Sequence, residues 1–232
     1  MFRSCSSLTQ APALPATTLS NNCYNNMFFG CTSLTQAPEL PATTLADSCY
    51  NGMFNGCRSL TQAPVLPATT LNKGCYSSML SNCSSLTQAP ELPATTLADS
   101  CYNSMFIGCK SLTQAPELPA TTLDYGCYSY MFSNCTSLTQ APELPATTLA
   151  NNCYYSMFEN CTNLNYVKVG FNNWDTTNAT NNWLPNNSGR FECTQALINN
   201  TTDRTSNTVP TNWSMVAYDA EPVQCDALCF TA

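Results

Sequence analysis

The sequence predicts an α/β solenoid, in which the chain winds as stacked coils of short parallel strands and helical turns. A 26-residue unit recurs six times, and each copy starts at a cysteine, namely Cys5, Cys31, Cys57, Cys83, Cys109 and Cys135. Each copy also carries leucines at fixed positions. A unit this short cannot bury its apolar face without neighbours, so we expect one elongated domain whose core grows along a single axis.

The first half of the unit predicts a short strand that ends at a proline. In the second copy, residues 33–37 read Ser-Leu-Thr-Gln-Ala, and Pro38 follows. Proline lacks the N–H that a strand paired on both sides needs, so the strand ends there. Pro41 fixes a second extended corner, and residues 42–45 then carry the chain to the other side of the coil.

The second half of the unit predicts one to two helical turns. Its apolar residues lie at offsets 0, 4, 5 and 8, at Cys49, Met53, Phe54 and Cys57. This spacing places them on one face of a helix. Asp47 or Ser48 is a suitable N-cap, and Gly56, whose position holds Gly or Asn in the aligned copies, suits the left-handed residue that ends a helix.

These residues carry a resemblance to a known family. The pattern Cys49-Tyr50-x-x-Met53-Phe54-x-x-Cys57-x-x-Leu60 resembles the BspA-type leucine-rich repeat of bacterial surface proteins, in which Ile-Gly-x-x-Ala-Phe-x-x-Cys-x-x-Leu fills the same frame. The resemblance covers roughly residues 1–170 and is similar to repeats in surface and secreted proteins of gut Bacteroides. It implies a right-handed leucine-rich-repeat solenoid. This chain departs from the family by having Cys for Ile, Met for Ala and a longer repeat.

The repeat pattern divides the chain into two segments. Residues 1–162 form the solenoid, and residues 163–232 a divergent last repeat with a small C-terminal β capping module. Leu164, Val167 and Val169 mark a last strand, and residues 190–193 and 213–218 predict two more. Trp174 and Trp183 stand in an Asn- and Thr-rich stretch and are expected to cover the open end of the coil.

The first residues, Met1 to Cys5, align with the middle of a later unit. A solenoid normally has a polar cap at its end, because the first coil otherwise exposes core surface. We therefore expect a piece of a longer protein whose export signal lies upstream. We also expect that the uncapped end supports end-to-end self-association through apolar surface and unpaired strand groups.

Composition lowers the expectation of several functions. Charged residues make up 9% of the chain, the net charge is −7, and there is no histidine. The acidic balance disfavours nucleic acid and anionic membranes as partners. The absence of histidine removes the commonest general base and metal ligand, so we expect neither an enzyme nor a cofactor. The sequence has no apolar run of 18 residues that could span a bilayer.

Thirteen of the 16 cysteines fall in two columns, the six unit-starting cysteines with Cys161, and a second set at Cys23, Cys49, Cys75, Cys101, Cys127 and Cys153. We expect reduced core thiols, because free cysteine behaves as a small hydrophobe and side chains in a ladder point in parallel. Disulfides between neighbouring coils are the alternative, since a step of about 4.8 Å lies within their Cα range. Cys225 and Cys229 are a weak zinc motif, because no histidine completes it.

Two further columns are candidate binding residues. One is aromatic and includes Tyr50, Tyr76, Tyr102 and Tyr128; it is either a packed edge or a stacking platform for sugars. The other is acidic and comprises Glu39, Glu91, Glu117 and Glu143. It is either a solvated stripe or, where three carboxylates are adjacent, a Ca²⁺ site. We favour the packed edge and the solvated stripe.

The leading functional hypothesis is a non-catalytic rod, on a cell surface or secreted, that binds a protein or glycan partner. A structural spacer or stalk is one alternative, and a phage tail-fibre type of host-recognition protein is another. The copies differ mainly at residues 46–48, 72–74, 124–126 and their equivalents, so we expect any discrimination between ligands along that edge.

Overall fold

The computed structural model describes residues 1–174 and 176–218 and arranges them as stacked coils. Parallel bridges join the same position of successive copies, as in Gln10 to Gln36, Gln36 to Gln62 and Gln62 to Gln88. The parallel stacking predicted from the 26-residue period is therefore confirmed. The Cys225 and Cys229 pair lies outside the described residues.

Regular secondary structure is confined to the C-terminal part of the described chain. Strands β1 (Tyr166–Lys168), β2 (Gly189–Cys193) and β3 (Trp213–Ala217) form one parallel sheet in the order β1-β2-β3. A short helix, α1 (Gln195–Asn200), follows β2, and the Thr194 hydroxyl caps it by accepting from the Leu197 N–H. The three predicted strands are thus present within one or two residues of their expected bounds.

The sheet continues the ladder of the repeats rather than forming a separate module. Tyr166 bridges Gln140 of the preceding coil and pairs with Arg190, which in turn pairs with Ser214. The Ala141 N–H also donates to the Tyr166 carbonyl at 2.9 Å. Coils therefore keep stacking beyond residue 163, and the expected capping module consists of further coils of slightly different length.

On the strand side of the repeats, pairing is limited to isolated bridges. Gln36 pairs with its equivalents, whereas Pro38, two residues later, has no N–H to donate. The proline in each copy therefore stops the strand before it can lengthen. The expected parallel sheet of short strands is reduced here to single contacts per coil.

The predicted helical turn at residues 49–57 is wrong. The Cys49 N–H donates to the Ala46 carbonyl at 3.3 Å and the Met53 N–H to the Tyr50 carbonyl at 3.2 Å, which closes tight turns rather than α-helix. Between them, the Tyr50 N–H donates to the Cys75 carbonyl of the next coil at 3.0 Å. Alternate amides thus serve the turn and the neighbouring coil, and this segment carries most of the hydrogen bonds between coils.

A left-handed residue at every fourth position produces this turn segment. Ser48, Gly52 and Gly56 have φ values of 53°, 60° and 77°. Every positive-φ residue of the described chain falls in one of these three columns. A positive φ at the third residue of a hydrogen-bonded turn is the type II geometry, which favours Gly and Asn. The columns hold Gly, Asn or Ser throughout, with Tyr130 as the one exception.

The core is one continuous cluster of stacked side chains. The leucine column is fully buried from the second coil onward, at Leu34, Leu60, Leu86, Leu112 and Leu138. Phenylalanines stack in the same way; the rings of Phe132 and Phe158 lie 5.7 Å apart and nearly parallel. Each coil therefore buries its apolar face against its neighbours, as the repeat length requires.

The two tryptophans of the polar stretch lie inside the stack rather than at its open end. Trp183 is fully buried, and its ring lies 6.2 Å from that of Tyr154 and 5.8 Å from that of Phe191 in β2. Its Nε1–H donates to the Thr208 carbonyl at 2.6 Å. Trp174 packs beside it at 6.2 Å. The pair joins the repeat coils to the last strands.

The left-handed columns predict opposite effects for two neighbouring serines. Ser78 has a φ of 54°, whereas Ser77 is not among the positive-φ residues, and both are half-buried. Ser78→Gly relieves left-handed strain and is expected to raise the free energy of unfolding by about 0.5–1 kcal/mol. Ser77→Gly only adds chain entropy to the unfolded state and is expected to lower it by about 0.5–1 kcal/mol.

Urea unfolding of the two variants beside the unaltered chain checks this prediction. The same serine-to-glycine change one residue apart controls for the loss of the hydroxyl. Equal destabilisation by both substitutions would show that the left-handed backbone at this column does not set residue preference.

Candidate functional site

The most regular exposed surface is formed by the Ala-Pro-Glu-Leu-Pro segments, residues 37–41 and their equivalents, here called the proline–glutamate face. Its leucines point inward and are buried, as at Leu92 and Leu118, whereas its acidic side chains are exposed, as at Glu91 and Glu117. The candidate acidic residues all lie on this face, at Glu39, Glu91, Glu117 and Glu143. Ala13 and Val65 replace the carboxylate in two copies, and Val65 is 79% exposed.

Shallow grooves cross this face between neighbouring coils. One groove of about 600 Å³ is lined by Pro116, Glu117, Pro142 and Glu143 among others. A second of about 510 Å³ is lined by the same positions one coil earlier, including Pro90 and Glu91. The two grooves are thus the same feature shifted by one repeat, and a ligand that fits one also fits the next.

A second pair of grooves lies beside the first, over the Thr-Gln-Ala segments. One, of about 370 Å³, is lined by residues that include Gln88 and Gln114. The other, of about 390 Å³, is lined by residues that include Gln114 and Gln140. The exposed amides and threonine hydroxyls supply hydrogen-bond donors and acceptors at each coil. The face therefore offers alternating acidic, proline-lined and neutral polar strips.

The acidic column does not form a metal centre in the structure. Within residues 1–174 and 176–218, no group of three or more His, Cys, Asp or Glu side chains is placed to hold a metal ion. Glu143 instead forms an ion pair with Lys168, whose Nζ lies 3.0 Å from Oε1. The carboxylates are separate exposed charges, which agrees with the solvated-stripe interpretation.

The tyrosine column is buried and offers no surface to a ligand. Tyr50, Tyr76 and Tyr102 are each 1% exposed, and Tyr128 is 2% exposed. Successive rings are nearly parallel, with centroids 5.7 Å apart for Tyr50 and Tyr76. The candidate sugar platform on these four residues is therefore wrong, because both faces of each ring are covered by its neighbours. The packed-edge interpretation describes them.

The fourteen cysteines of the described ranges are free, and all but Cys5 and Cys23 are buried. In the unit-starting column each buried Sγ–H donates to a carbonyl of the preceding coil, as from Cys57 to Phe28 at 3.1 Å and from Cys109 to Leu80 at 3.1 Å. These thiols are core groups with a structural hydrogen bond. Burial raises the pKa of Cys57 and of Cys109 to about 12.

The variable positions lie along the turn segment, as expected. Asp47, Lys73 and Tyr125 occupy one column there, and all three are exposed. Lys73 Nζ lies 2.7 Å from Asp99 Oδ2 of the next coil. An exposed pair of this kind contributes only about 0–1 kcal/mol, so residue choice at this edge is not dictated by stability.

The left-handed columns were the feature that sequence reasoning missed on this side. Gly, Asn and Ser recur at residues 48, 52 and 56 and their equivalents, and this fourfold spacing is visible in the sequence. The apolar offsets of 0, 4, 5 and 8 fit a helix as well as a chain of four-residue turns. Only the recurrence of turn residues between them distinguishes the two.

Comparison with known proteins finds no matching family model, no matching curated protein and no matching solved structure. In the described part of the chain, no helix has the length and apolarity needed to cross a bilayer.

The buried thiols predict a loss of stability in alkali. An unfolded thiol ionises near pH 9.0, whereas the folded-state pKa of Cys57, Cys109 and Cys161 is raised to about 12, first of all by burial. Their stabilising contribution is fully present below pH 9 and is lost as the pH rises towards 12, because only the unfolded chain then releases these protons. The free energy of unfolding, measured in urea, is expected to fall across this interval.

Cys109→Ser provides a matched control for this pH dependence. The serine hydroxyl donates to the same Leu80 carbonyl but does not ionise below pH 12. The difference in free energy of unfolding between the unaltered chain and this variant is expected to shrink from pH 8 to pH 11. A difference that stays constant would show that the Cys109 pKa is not raised by folding.

Proposed function

We propose that this protein is a non-catalytic binding rod, on a cell surface or secreted, whose proline–glutamate face contacts a protein or glycan partner. The observation that carries the proposal is the repetition of equivalent grooves on successive coils, of about 510 and 600 Å³. A surface that repeats in this way presents the same weak contact many times. Such contacts gain affinity together through multivalency rather than through one deep pocket.

The chemistry of the face favours an extended partner with hydrogen-bonding groups or positive charge. Glu91, Glu117 and Glu143 place one exposed carboxylate on each of three successive coils. The net charge of −7 adds a field that repels phosphate backbones and anionic lipid surfaces. A basic protein segment or a neutral glycan chain lying along the coils matches this distribution.

Assignment to the BspA-type leucine-rich repeats belongs to the same proposal. The buried leucine column, the parallel bridges and the buried cysteine at the family's Cys position support it, as at Leu60 and Cys57. The turns in place of helix at residues 49–57 are a variation on that coil. A right-handed winding is expected with this assignment.

A spacer or stalk is the second candidate, and the uniformity of the ladder favours it. Stacked rings and hydrogen bonds between coils recur at the same positions along the repeats, from the Tyr24 and Tyr50 rings at 5.8 Å to those of Tyr128 and Tyr154 at 6.0 Å. Continuous packing of this kind resists bending. In a spacer, copy number sets reach, and the exposed face makes no specific contact.

A deletion series separates the two candidates. Each variant lacks one 26-residue unit, such as residues 57–82 or 83–108, and retains everything from residue 163 onward. Binding is measured to immobilised mucin glycans and extracellular-matrix proteins. A distributed face predicts that affinity falls stepwise with each unit removed, because each unit carries one set of contacts. Full binding in every variant would assign recognition to the C-terminal coils and leave the repeats as a stalk.

Substitution of the carboxylates tests which face is used. In Glu91→Gln, Glu117→Gln and Glu143→Gln combined, affinity for a basic partner is expected to fall, because three adjacent charges are removed at nearly constant shape. Glu39→Gln is the matched control, since its neighbours in the column are Ala13 and Val65 and it has no adjacent carboxylate. Equal loss in the control and the triple variant would contradict a role for the acidic stripe.

A further inference from the structure

Three tyrosines break the uniformity of the repeats in one place. Tyr125, Tyr130 and Tyr155 stand at columns where the other repeat copies have Asn, Asp, Lys, Ser or Gly. Although Tyr155 is 25 residues beyond Tyr130, the coils bring all three to one pocket on the turn segment. In a chain of nearly identical units, three large departures that meet at one point indicate a local requirement that the rest of the rod lacks.

The three rings have defined positions around this pocket. The rings of Tyr130 and Tyr155 have centroids 5.3 Å apart and are tilted by 59°. The Tyr125 hydroxyl accepts a hydrogen bond from Asn152 Nδ2 at 3.0 Å, and its ring remains 51% exposed. Asn152 is itself held in place, because its carbonyl accepts from the Ser129 hydroxyl at 2.6 Å. The pocket is therefore a preformed aromatic surface that is open to solvent.

Tyr130 is held in a backbone conformation that disfavours it. Its φ is 56°, and it is the only residue in the left-handed columns that is not Gly, Asn or Ser. A bulky residue in this region is strained, and such strain concentrates at ligand-binding sites. Tyr130 is half-buried at the surface, so its ring does not complete the core. Stability alone favours a smaller residue here, and the ring therefore has another use.

The lining groups define the chemistry of a ligand. Besides the phenol rings, the pocket is lined by the amides of Asn103 and Asn152 and the hydroxyls of Ser100 and Ser129, with no charged side chain among the lining residues. A phosphate, carboxylate or amine would find no counter-charge in it. The volume of about 260 Å³ is below the roughly 300–1,000 Å³ of pockets for drug-sized ligands, so it accommodates about one ring.

We propose that Tyr125, Tyr130 and Tyr155 form a carbohydrate-binding site for one neutral hexose unit. The apolar C–H face of a sugar ring packs against the phenol rings, while its hydroxyls exchange hydrogen bonds with the asparagine amides and tyrosine hydroxyls. The negative charge of the protein further disfavours acidic sugars. This site lies on the turn segment and does not depend on the proline–glutamate face, so either site can fail without the other.

Saturation-transfer NMR on the full chain tests this proposal. The probes are the methyl glycosides of glucose, galactose, mannose and N-acetylglucosamine at millimolar concentration, with methyl glucuronide as the acidic comparison. At least one neutral glycoside is expected to receive saturation, and the glucuronide is expected to receive at least fivefold less. No transfer to any neutral glycoside, or equal transfer to the glucuronide, overturns the proposal.

The variants return the three columns to residues found in other coils. Tyr125→Asn, Tyr130→Ser and Tyr155→Asn combined copy residues that stand at these columns in other units, so the fold is expected to be retained, as checked by circular dichroism. Saturation transfer is expected to fall at least tenfold. Tyr125→Asn alone, at an exposed side chain, gives the same test if the triple variant does not fold. Transfer unchanged in the folded tyrosine variants overturns the assignment to this pocket.

Asp47→Asn with Ser77→Asn is the matched control. These residues occupy the Tyr125 and Tyr155 columns three coils earlier, where the three tyrosines are absent. Transfer is expected to stay within twofold of that of the unaltered chain. A loss equal to that of the tyrosine variants would place binding outside the pocket and overturn the proposal.

Discussion

The hydrogen-bond alternation in the turn segment is the interaction on which the rest of the structure depends. Each second amide, such as that of Tyr50, is committed to a carbonyl of the next coil, and the amides between them close turns within the coil. This division works only if the backbone reverses its twist every fourth residue, at Ser48, Gly52 and Gly56. Once it is in place, each side chain lies over its equivalent in the next copy. Columns of identical residues are then the direct consequence of a backbone ladder.

Identical residues pack well in such columns for reasons particular to each. Tyrosine rings stack nearly parallel, as for Tyr76 and Tyr102 at 5.8 Å, and this offset stacking is favourable for equal rings. A cysteine thiol is small enough for the narrow core and supplies one donor, which Cys83 uses at the Phe54 carbonyl. Buried Sγ–H groups also remain protonated, since burial raises their pKa. Reduced thiols therefore fit this core without disulfide bonds.

The sequence carries enough information for the stacking, the inward leucines and the three C-terminal strands, because each follows from a period or an alternation of apolar residues. It does not separate helix from turns at residues 49–57, since Cys49, Met53 and Cys57 satisfy both geometries. Burial of the tyrosine column also depends on that choice: a helix can present Tyr50 at its edge, whereas the turn ladder stacks it inside. The continuation of the coils past residue 163 escaped prediction because the period changes to 24 residues, as between Tyr166 and Arg190.

A repeat of near-identical units makes departures more informative than agreements. Glu117 and its equivalents recur because a copied unit copies its surface, and recurrence alone says nothing about use. Tyr130 is different, because its left-handed backbone imposes a cost that Ser104 and Ser156, in the same column, largely avoid. A strained ring beside two further unique tyrosines is not explained by copying or by stability. Recognition of a ligand accounts for all three, whereas the uniform face gains strength only from the number of coils.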